Sequence, residues 1–259
     1  MNQPCIVISV VSHRQGYLVR DLLKDIETQC DENIQVVLTL NVPEAIPFEP
    51  KDYKYPIDVV HNQRPKGFGA NHNSAFRHVA CDYFCVVNPD IRITANPFMS
   101  LIECLNNASA GVVGPLVRNR NGDIEDSARA FPTPWRIAKK LISVRAELPP
   151  GLKTENVRLD WVAGMFMLFP ATVFRNMGGF DERYFLYYED VDLCARLSLS
   201  GYSVTLCPEV EVIHDARRQS HREWRYLRWH IESMVRFFLS PVFRRVMWRK
   251  ILNAIRNER

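Results

Sequence analysis

The chain has no long hydrophobic run, and none of its apolar stretches approaches the roughly 20 residues that a transmembrane helix needs. The apolar run at residues 5–11 has no basic segment before it and no small-residue cleavage site after it. We therefore expect it to be the first strand of the fold and not a secretory leader. The 259 residues are 47% hydrophobic and 24% charged, an ordinary globular composition that suits one large α/β domain.

The cysteines show neither a disulfide framework nor a metal signature. There are seven of them, an odd number, and most lie inside apolar runs. Their spacing matches no zinc site. Reduced thiols of this kind are typical of a cytoplasmic protein. We expect that location, with the cytoplasmic face of a membrane as a place where the chain could lie peripherally.

Acidic residues are scarce at the C-terminal end. Residues 215–259 carry eleven Arg and one Lys against four acidic side chains, a net charge of +8, although the whole chain has only +4. A basic tail of this kind predicts an anionic partner, either a membrane surface or nucleic acid. Because the body contains no recognisable base-reading motif, we expect no nucleic acid partner.

Within the tail, apolar residues recur at helical spacing among the arginines, which predicts two basic amphipathic helices. The first repeat consists of Trp224, Leu227, Ile231, Met234, Val235 and Phe238, and the second of Val242, Phe243, Val246, Met247, Ile251, Leu252 and Ile255. Helices of this kind suit an anionic membrane surface. The alternative is that the first helix packs on the body and only the second is peripheral.

The first part of the chain alternates between apolar runs and a helical pattern. Apolar runs at residues 4–11, 34–40 and 57–60 predict strands, and apolar residues at helical spacing predict a helix that ends near Gln29. Strand, helix and strand at this spacing indicate a βαβ opening. We therefore expect an α/β fold with a mainly parallel central sheet flanked by helices.

A further run, at residues 81–87, is apolar without alternation and predicts a buried central strand. It ends at Asn88, Pro89 and Asp90, because proline cannot donate a ladder hydrogen bond. Ligands of open α/β sheets bind beyond the carboxyl ends of the strands. Asp90 is therefore a candidate ligand for a divalent cation that holds a nucleotide diphosphate. The alternative is a plain turn, since all three residues are turn formers.

A glycine-containing loop precedes this strand. Lys66, Gly67 and Gly69 lie just before a predicted helix that ends near Ala80, and glycines in that position let backbone amides approach an anion. The loop lacks the third glycine of the dinucleotide fingerprint. A loop with Asn caps, Asn71 among them, is the alternative.

An apolar run at residues 161–169 predicts a strand that crosses the core, in which Gly164 marks a kink or the close approach of a ligand. Residues 145–157 contain two prolines, a glycine and mixed charges, and we expect a mobile loop there that could cover the site. The other predicted elements are helices at residues 97–106, 134–143 and 170–177, an extended segment at 124–130, and strands at 111–117, 203–207 and 210–213.

Three acidic residues, Glu189, Asp190 and Asp192, lie in the first turn of a helix that stops before Gly201. Acids cap helix N-termini and suit the helix dipole, and Asp192 can pair with Arg196 on the surface. A cap requires only one acid, however. The aromatic residues just upstream could form a surface on which a sugar packs; they are Tyr184, Phe185, Tyr187 and Tyr188. This combination favours a functional site.

His214 follows an apolar run, as Asp90 does. It is either a structural histidine or a second protein ligand of the same cation.

Taken in order, four stretches resemble the inverting GT-A-fold glycosyltransferases of family 2, and within them the rhamnosyltransferase-like branch. They are residues 6–12, residues 66–73, residues 87–90 at the place of the metal-binding Asp-x-Asp of the family, and residues 178–196. The last stretch is the most specific. His214 stands where the family often has a late metal-coordinating histidine.

The resemblance implies a GT-A domain at residues 1–215, with a nucleotide-binding part at about 1–117 and an acceptor-binding part at about 118–215, followed by a helical tail at 216–259. It implies that Asp90 and His214 hold Mg²⁺ or Mn²⁺, that Asp190 is the general base, and that Glu189 positions the acceptor or the base. The implied substrate-binding residues are Ser12, Asn41, Lys66, Gly67, Asn71, Asn88, Arg129, Gly164 and Tyr188.

The activity implied is inverting transfer of a sugar, with thymidine diphosphate-rhamnose as the favoured donor, to a hydroxyl of a glycan or of a lipid-diphosphate-linked acceptor. Two departures from the family pattern matter. Asn88 replaces the first acid of the usual Asp-x-Asp, and the loop after the first strand reads Ser12-His13-Arg14 where relatives often have an aromatic residue and Asn. A catalytically inactive binding protein with the same fold is therefore an alternative. A nucleotidyltransferase would need a phosphate-binding glycine loop directly after the first strand, which residues 12–16 match poorly.

Overall fold

The structure is a computed structural model, and it describes residues 3–31, 33–125, 127–129, 131–132, 157–215 and 224–257. The predicted helix at 134–143 and almost all of the predicted loop at 145–157 lie outside the described residues. Residue 157 itself begins a strand.

The N-terminal part is built of parallel strands joined by helices. Its elements are β1 (Cys5–Ser12), α1 (Gly16–Gln29), β2 (Asn33–Leu40), β3 (Ile57–His61), α2 (Phe68–Arg77) and β4 (Tyr83–Val87), with a 3₁₀ turn at Pro50–Asp52. β1 lies between β2 and β4 and is parallel to both, and β3 is parallel to β2. The prediction of a mainly parallel sheet is confirmed.

The C-terminal part adds strands of both directions to the same sheet. Its elements are β5 (Ile91–Arg92), α3 (Phe98–Ala108), β6 (Ala110–Asn119), β7 (Ala128–Arg129), β8 (Val157–Leu159), β9 (Trp161–Val162), β10 (Phe166–Pro170), α4 (Ala171–Asn176), α5 (Glu189–Leu199) and β11 (Ser203–His214). The order in the sheet is β3-β2-β1-β4-β10-β6-β11-β5, with β8 beside β11, and β7 pairs with β9 in a separate two-stranded sheet. β10 is antiparallel to both of its neighbours.

The strand directions gather several loops at one edge of the sheet. In the parallel register Ser12 is level with Leu40, and Leu40 with His61, so the loops after β1, β2 and β3 emerge together. Phe166 at the start of antiparallel β10 is level with Val87 at the end of β4. The loop before β10 therefore lies beside the loop after β4, at the edge where ligands of such sheets bind.

Three predicted strands have different bounds in the structure. The run at 161–169 is two strands, β9 and β10, separated by a turn at Gly164 and Met165. Apolar residues continue through the turn because the turn is partly buried and Met165 packs against the core, so hydrophobicity did not reveal it. Conversely, the two short strands predicted at 203–207 and 210–213 form the single strand β11, with an irregular register between Cys207 and Glu211.

The sheet has a hydrophobic core on each face. One core contains the apolar faces of α1 and α3, represented by Leu22 and Leu101, and the other contains those of α2, α4 and α5, represented by Ala75, Phe174 and Leu193. Burial of these faces supplies the main stabilisation of the three layers.

The tail forms two helices, α6 (Trp224–Leu239) and α7 (Pro241–Asn257). Phe237 of α6 and Val246 of α7 are buried in a third apolar cluster with Tyr184, Tyr188 and α5. The part of the alternative in which the first helix packs on the body is thus confirmed, and the part in which only the second helix is peripheral stays a prediction. The second helix packs there too, because Arg249 donates a hydrogen bond to the carbonyl oxygen of Ser198 at 2.5 Å. Among the described residues, no helix is long and apolar enough to cross a membrane.

Candidate active site

Asp90 and His214 meet beyond the end of β4. β5 pairs with β11 so that Ile91 is level with His214, and this brings the His214 Nε2 atom to 3.1 Å from Asp90 Oδ2. The other ring nitrogen, Nδ1, lies 2.6 Å from Glu125 Oε2. The two strand ends that sequence analysis singled out therefore meet, and Glu125 is an addition that sequence analysis missed.

The charge of the His214 ring depends on the Asp90 and Glu125 carboxylates. Burial would lower the pKa of His214, but hydrogen bonds and attraction from the Asp90 and Glu125 carboxylates raise its pKa to about 9. Asp90 Oδ1 is buried and finds no hydrogen-bond partner among the residues that the structure describes. An unpartnered buried carboxylate oxygen indicates a place where a cation or a hydrogen-bond donor can bind, and binding of a metal cation by His214 would release the proton that its Nε2 atom shares with Asp90.

The donor set fits a divalent cation of the Mg²⁺ or Mn²⁺ type. Protein ligands of Mg²⁺ are often only one or two carboxylates, completed by water and substrate phosphates. Metal-ligating histidines usually donate their second ring N–H to a carboxylate, which is the relation of His214 to Glu125. The described part of the chain holds no group of three or more His, Cys, Asp or Glu side chains arranged around a metal position. Two protein ligands therefore suit a substrate-completed site better than a closed structural one.

A second acidic group begins α5. Asp190 Oδ2 accepts a hydrogen bond from the Gly164 N–H at 3.0 Å, and Oδ1 accepts one from the Val191 N–H at 2.8 Å. Burial raises the pKa of Asp190, and the two N–H groups oppose that shift. The carboxylate is thus oriented by backbone amides and is a stronger base than an exposed aspartate.

Glu189 lies beside Asp190 in a different environment. Its side chain is buried, and no described residue offers a hydrogen bond to its Oε2 atom. Burial, and then the charge of Asp190, raise the pKa of Glu189 well above its usual range. Because Asp190 has two N–H donors and the Glu189 Oε2 atom has none, the site favours the negative charge on Asp190 and the protonated form of Glu189.

The turn that leads into α5 is strained. Tyr187 and Tyr188 have φ angles of 70° and 67°, a left-handed conformation that non-glycine residues seldom adopt. Consecutive residues of this kind persist only where the surrounding structure holds them, and they are concentrated at functional sites. Here they direct the chain so that Asp190 meets the amide of Gly164.

A short turn connects the two acidic groups. The Asn88 N–H donates to the Met165 carbonyl oxygen at 2.9 Å, and Gly164, the residue before Met165, donates to Asp190. Asn88 lies two residues before Asp90. The segment at 164–165 therefore contacts the cation side through its carbonyl and the base side through its N–H. A Cβ atom at Gly164 would lie 3.2 Å from the Phe68 ring, so the position suits glycine.

Hydrogen bonds from two asparagine side chains hold the backbone of the glycine-containing loop. Asn41 Oδ1 accepts from the Lys66 N–H at 2.8 Å and its Nδ2 donates to the Lys66 carbonyl at 3.0 Å, while Asn71 Nδ2 donates to the Gly67 carbonyl at 3.0 Å. The side chains of Asn41 and Asn71 are buried, as is that of Ser12, whose hydroxyl accepts from the Gln15 N–H. These three predicted substrate-binding residues therefore shape the loops, and Lys66 is the exposed member.

Gly67 also connects this loop to the loop before α5. A Cβ atom at Gly67 would lie 2.7 Å from the Phe185 carbonyl oxygen, and that oxygen accepts a hydrogen bond from the Phe68 N–H at 2.8 Å. Only glycine fits there, because the obstructing atoms belong to the backbone.

Arg129 lies in β7, where it pairs with Trp161 of β9, and the Ala163 N–H donates to the Ser127 carbonyl at 2.7 Å. The segment that carries Arg129 thus runs beside the residues that precede Gly164. This places its backbone near the base side of the site.

Two expectations about the acidic helix are corrected. The aromatic residues do not form an open surface for a sugar, because Tyr184 and Tyr188 are buried and the Tyr188 ring packs on Phe237 of α6. Asp192 and Arg196 do pair, at 2.7 Å, but inside the protein, where Asp192 is buried. Spacing alone could not show that the tail helices cover this face.

The pair has a structural role. The Arg196 guanidinium donates to the carbonyl oxygens of Met177 and Gly179 at 2.7 and 2.8 Å, and so holds the glycine turn after α4. Asn73 of α2 holds the same turn through two hydrogen bonds with the backbone of Phe180. Gly178 and Gly179 therefore form a turn, with φ angles of 72° and 69°, and this turn links α2 to the acidic helix α5.

The comparison with protein families decides the classification. Residues 48–231 match the model described as "Glycosyltransferase like family 2". The chain belongs to this family. Its central, mostly parallel sheet with flanking helices is the GT-A fold, and family and relatives together support a glycosyltransferase that uses a nucleotide sugar.

Relatives of characterised function agree with this classification. The chain is 28% identical over 244 residues to "Rhamnosyltransferase WbbL" of Escherichia coli, which covers 90% of this chain and 92% of that protein. It is 30% identical over 160 residues to the "N-acetylglucosaminyl-diphospho-decaprenol L-rhamnosyltransferase" of Mycobacterium tuberculosis, covering 55% of this chain and 50% of that protein. The chain thus aligns with about half of the mycobacterial relative.

Solved structures share the fold at low identity. A mannosyltransferase of Pyrobaculum calidifontis, solved with GDP-Man and Mn²⁺, superposes with a TM-score of 0.63 at 15% identity, over 96% of this chain and 70% of that one. GalNAc-T7, solved with UDP, GalNAc and Mn²⁺, superposes with a TM-score of 0.69 at 14% identity, over 92% of this chain and 48% of that one.

Proposed function

We propose that the protein is an inverting glycosyltransferase in which Asp190 is the general base and Asp90 with His214 holds a divalent cation on the donor diphosphate. The observation that carries the proposal is the turn at residues 164–165. The Met165 carbonyl of this turn accepts a hydrogen bond from the Asn88 N–H, and the Gly164 N–H donates one to Asp190. A sugar placed over this turn has a cation site at one end and a base at the other.

The base step uses the environment of Asp190. Its carboxylate takes the proton from the acceptor hydroxyl while the acceptor oxygen bonds to the anomeric carbon and the bond from that carbon to the diphosphate oxygen breaks. Attack opposite the leaving group inverts the anomeric centre. The raised pKa of Asp190 brings it closer to neutrality, where a general base is most effective. Glu189, held neutral by burial, leaves the negative charge on Asp190.

Asp90 and His214 would hold the cation, which would supply stabilisation of the negative charge that develops on the departing diphosphate. Glu125 fixes the His214 ring through Nδ1 and so holds Nε2 beside Asp90, the other residue that would hold the cation. We propose that Lys66, which is exposed on the loop held by Asn41, contacts a phosphate of the donor with its cationic side chain.

For the substrates, we propose thymidine diphosphate-rhamnose as the donor and a lipid-diphosphate-linked sugar as the acceptor, at the cytoplasmic side of a membrane. Support comes from the activities that the names of the two rhamnosyltransferase relatives state and from the basic helical tail. The seven cysteines, none of them in a disulfide among the described residues, suit the cytoplasmic location.

The test is transfer by the purified chain with Mn²⁺, thymidine diphosphate-rhamnose and a short-chain lipid-diphosphate-linked amino sugar. We expect a rhamnosylated lipid product whose anomeric configuration, read by NMR, is opposite to that of the donor. A product with retained configuration would refute the mechanism. If the protein bound the donor without transfer or hydrolysis, the inactive-binder alternative that Asn88 favours would hold.

A further inference from the structure

One face of α6 is apolar and exposed along its whole length. The residues on it are Trp224, Leu227, Ile231, Val235 and Leu239, between 45% and 86% exposed. At 3.6 residues per turn they lie within an arc of about 120° and extend for roughly 22 Å. We refer to this set as the α6 stripe. A soluble surface seldom leaves so long a row of large apolar side chains uncovered.

The stripe differs from the face that sequence periodicity predicted. Met234 and Phe238, which belong to the same sequence repeat, pack into the third apolar cluster with Phe237. The folding of α6 on the body therefore uses one part of the repeat and leaves Ile231, Val235 and Leu239 outside. These three line an open groove whose rim includes Arg183 and Arg236.

The charge around the stripe is mostly positive. Residues 224–257 carry seven Arg and one Lys against a single acidic residue, Glu232. On α6, Arg225, Arg228 and Arg236 lie beside the stripe, and Arg228 forms an ion pair with Glu232 at 2.6 Å. The α7 helix adds a second exposed apolar patch at helical spacing, formed by Trp248, Ile251, Leu252 and Ile255.

We propose that the α6 stripe is a docking surface for a bilayer that contains anionic phospholipids. The apolar side chains would enter the boundary between headgroups and acyl chains, and the arginines beside them would contact phosphates. Tryptophan at the ends of such a surface suits the headgroup level. A second copy of the chain fits less well, because pairing would bring two strongly basic surfaces together.

The same helix contacts the catalytic loop with its other side. The Ser233 hydroxyl donates to the Leu186 carbonyl at 2.9 Å, the Trp229 and Phe185 rings lie 4.6 Å apart, and Phe237 packs on Tyr188. The loop at 185–188 leads directly into Glu189 and Asp190. Docking of the stripe would thus hold the base about one helix diameter, roughly 10 Å, from the headgroups. This role of the docking surface rests on the proposed function, because a lipid-diphosphate-linked acceptor presents its sugar close to the headgroups.

The test is co-sedimentation of the full chain with vesicles, without donor or acceptor. The vesicles are phosphatidylcholine alone or phosphatidylcholine mixed with phosphatidylglycerol. The stripe variant combines Leu227→Ser, Ile231→Ser and Val235→Ser. The matched control combines Tyr17→Ser and Met99→Ser, which replace exposed apolar side chains on the body, 64% and 55% exposed.

We expect the wild type to bind the anionic vesicles, more weakly at high salt, and the control variant to bind equally well. The stripe variant should bind at least about tenfold more weakly with an unchanged thermal unfolding midpoint, since its replaced side chains are half exposed. No binding by the wild type, or equal binding by the stripe variant, would overturn the proposal. A wild-type dimer in light scattering that the stripe variant loses would assign the stripe to a second copy.

The vesicle assay and the transfer assay can fail separately. Binding to anionic vesicles without any transfer would leave the docking surface standing and remove the proposed function. Transfer of the sugar by a wild-type protein that does not bind the anionic vesicles would support the enzyme and refute the docking surface.

Discussion

The two candidate carboxylates, Asp90 and Asp190, differ in what holds them. Asp90 faces the His214 ring, which is itself bound to Glu125, and keeps one buried oxygen unpartnered among the described residues. Asp190 has both oxygens bound to backbone N–H groups. A histidine ring beside the Asp90 carboxylate suits a cation site. Backbone N–H groups orient the Asp190 carboxylate as a base and do not compete for the proton that it accepts.

The largest effect is expected from Asp190→Asn. Removing the base should lower kcat about 10²–10⁴-fold, with the affinity for donor and Mn²⁺ unchanged, because the cation side is built from other residues. The measurement is steady-state transfer combined with calorimetric titration of the nucleoside diphosphate. A loss of donor affinity equal to the loss of kcat would mean that the two regions are not separate in function.

The same variant tests the electrostatics of the site. Because burial raises the pKa of Asp190 above its unfolded value, protonated Asp190 stabilises the fold at low pH, and that stability is lost as pH rises through the folded pKa. The uncharged asparagine side chain of the variant should therefore leave the thermal unfolding midpoint at neutral pH equal or higher. A clear drop in that midpoint would show that the ionised carboxylate contributes favourably to folding.

The reciprocal change, Asp90→Ala, should abolish the cation dependence of donor binding. We expect Mn²⁺ to bind at least about 100-fold more weakly, with a matching loss of nucleoside diphosphate affinity, because only His214 would remain of the protein ligands. Titration of Mn²⁺ in the presence of the nucleotide measures it. Unchanged Mn²⁺ affinity would move the cation site elsewhere.

Glu125→Gln should have a smaller effect on the same side. The ring of His214 would lose its carboxylate partner, so we expect Mn²⁺ affinity to fall about 10–100-fold and the pKa of His214 to fall as well. NMR titration of the His214 ring in the metal-free protein reads the pKa directly. The control is Glu211→Gln. Glu211 lies on β11, the strand that also carries His214, and the change removes its ion pair with Arg118.

The smallest effect is expected from Glu189→Gln. If Glu189 is neutral, an amide of the same shape should change kcat by no more than about threefold. The acid limb of the pH–rate profile should still reflect a carboxylate with a pKa above the ordinary aspartate range, since the desolvation of Asp190 is unchanged. A loss as large as that of Asp190→Asn would assign the base to Glu189.

The sequence was informative where strand ends converge. Asp90 and His214 each follow an apolar run, and the rule that strand ends gather ligands was sufficient to pair them. Gly164 was noted as a kink or close approach, and the structure has a turn there that donates to Asp190. Glu125 lies in an irregular segment 89 residues from His214 in sequence, so no local pattern could connect the two.

The aromatic residues before α5 show the opposite case. Their spacing is equally compatible with an open sugar-binding surface and with a core, and only the position of α6 decides. That position depends on contacts between distant parts of the chain. For the same reason, the apolar repeat of α6 could not reveal which of its residues would stay exposed.

The most direct test of the account is a crystal structure of the protein with Mn²⁺ and a non-hydrolysable thymidine diphosphate-sugar. We predict Mn²⁺ between the diphosphate and the Asp90–His214 pair, with the sugar over the turn at residues 164–165 and its anomeric carbon facing Asp190. A nucleotide bound away from Asp90, or an anomeric carbon directed away from Asp190, would contradict the account.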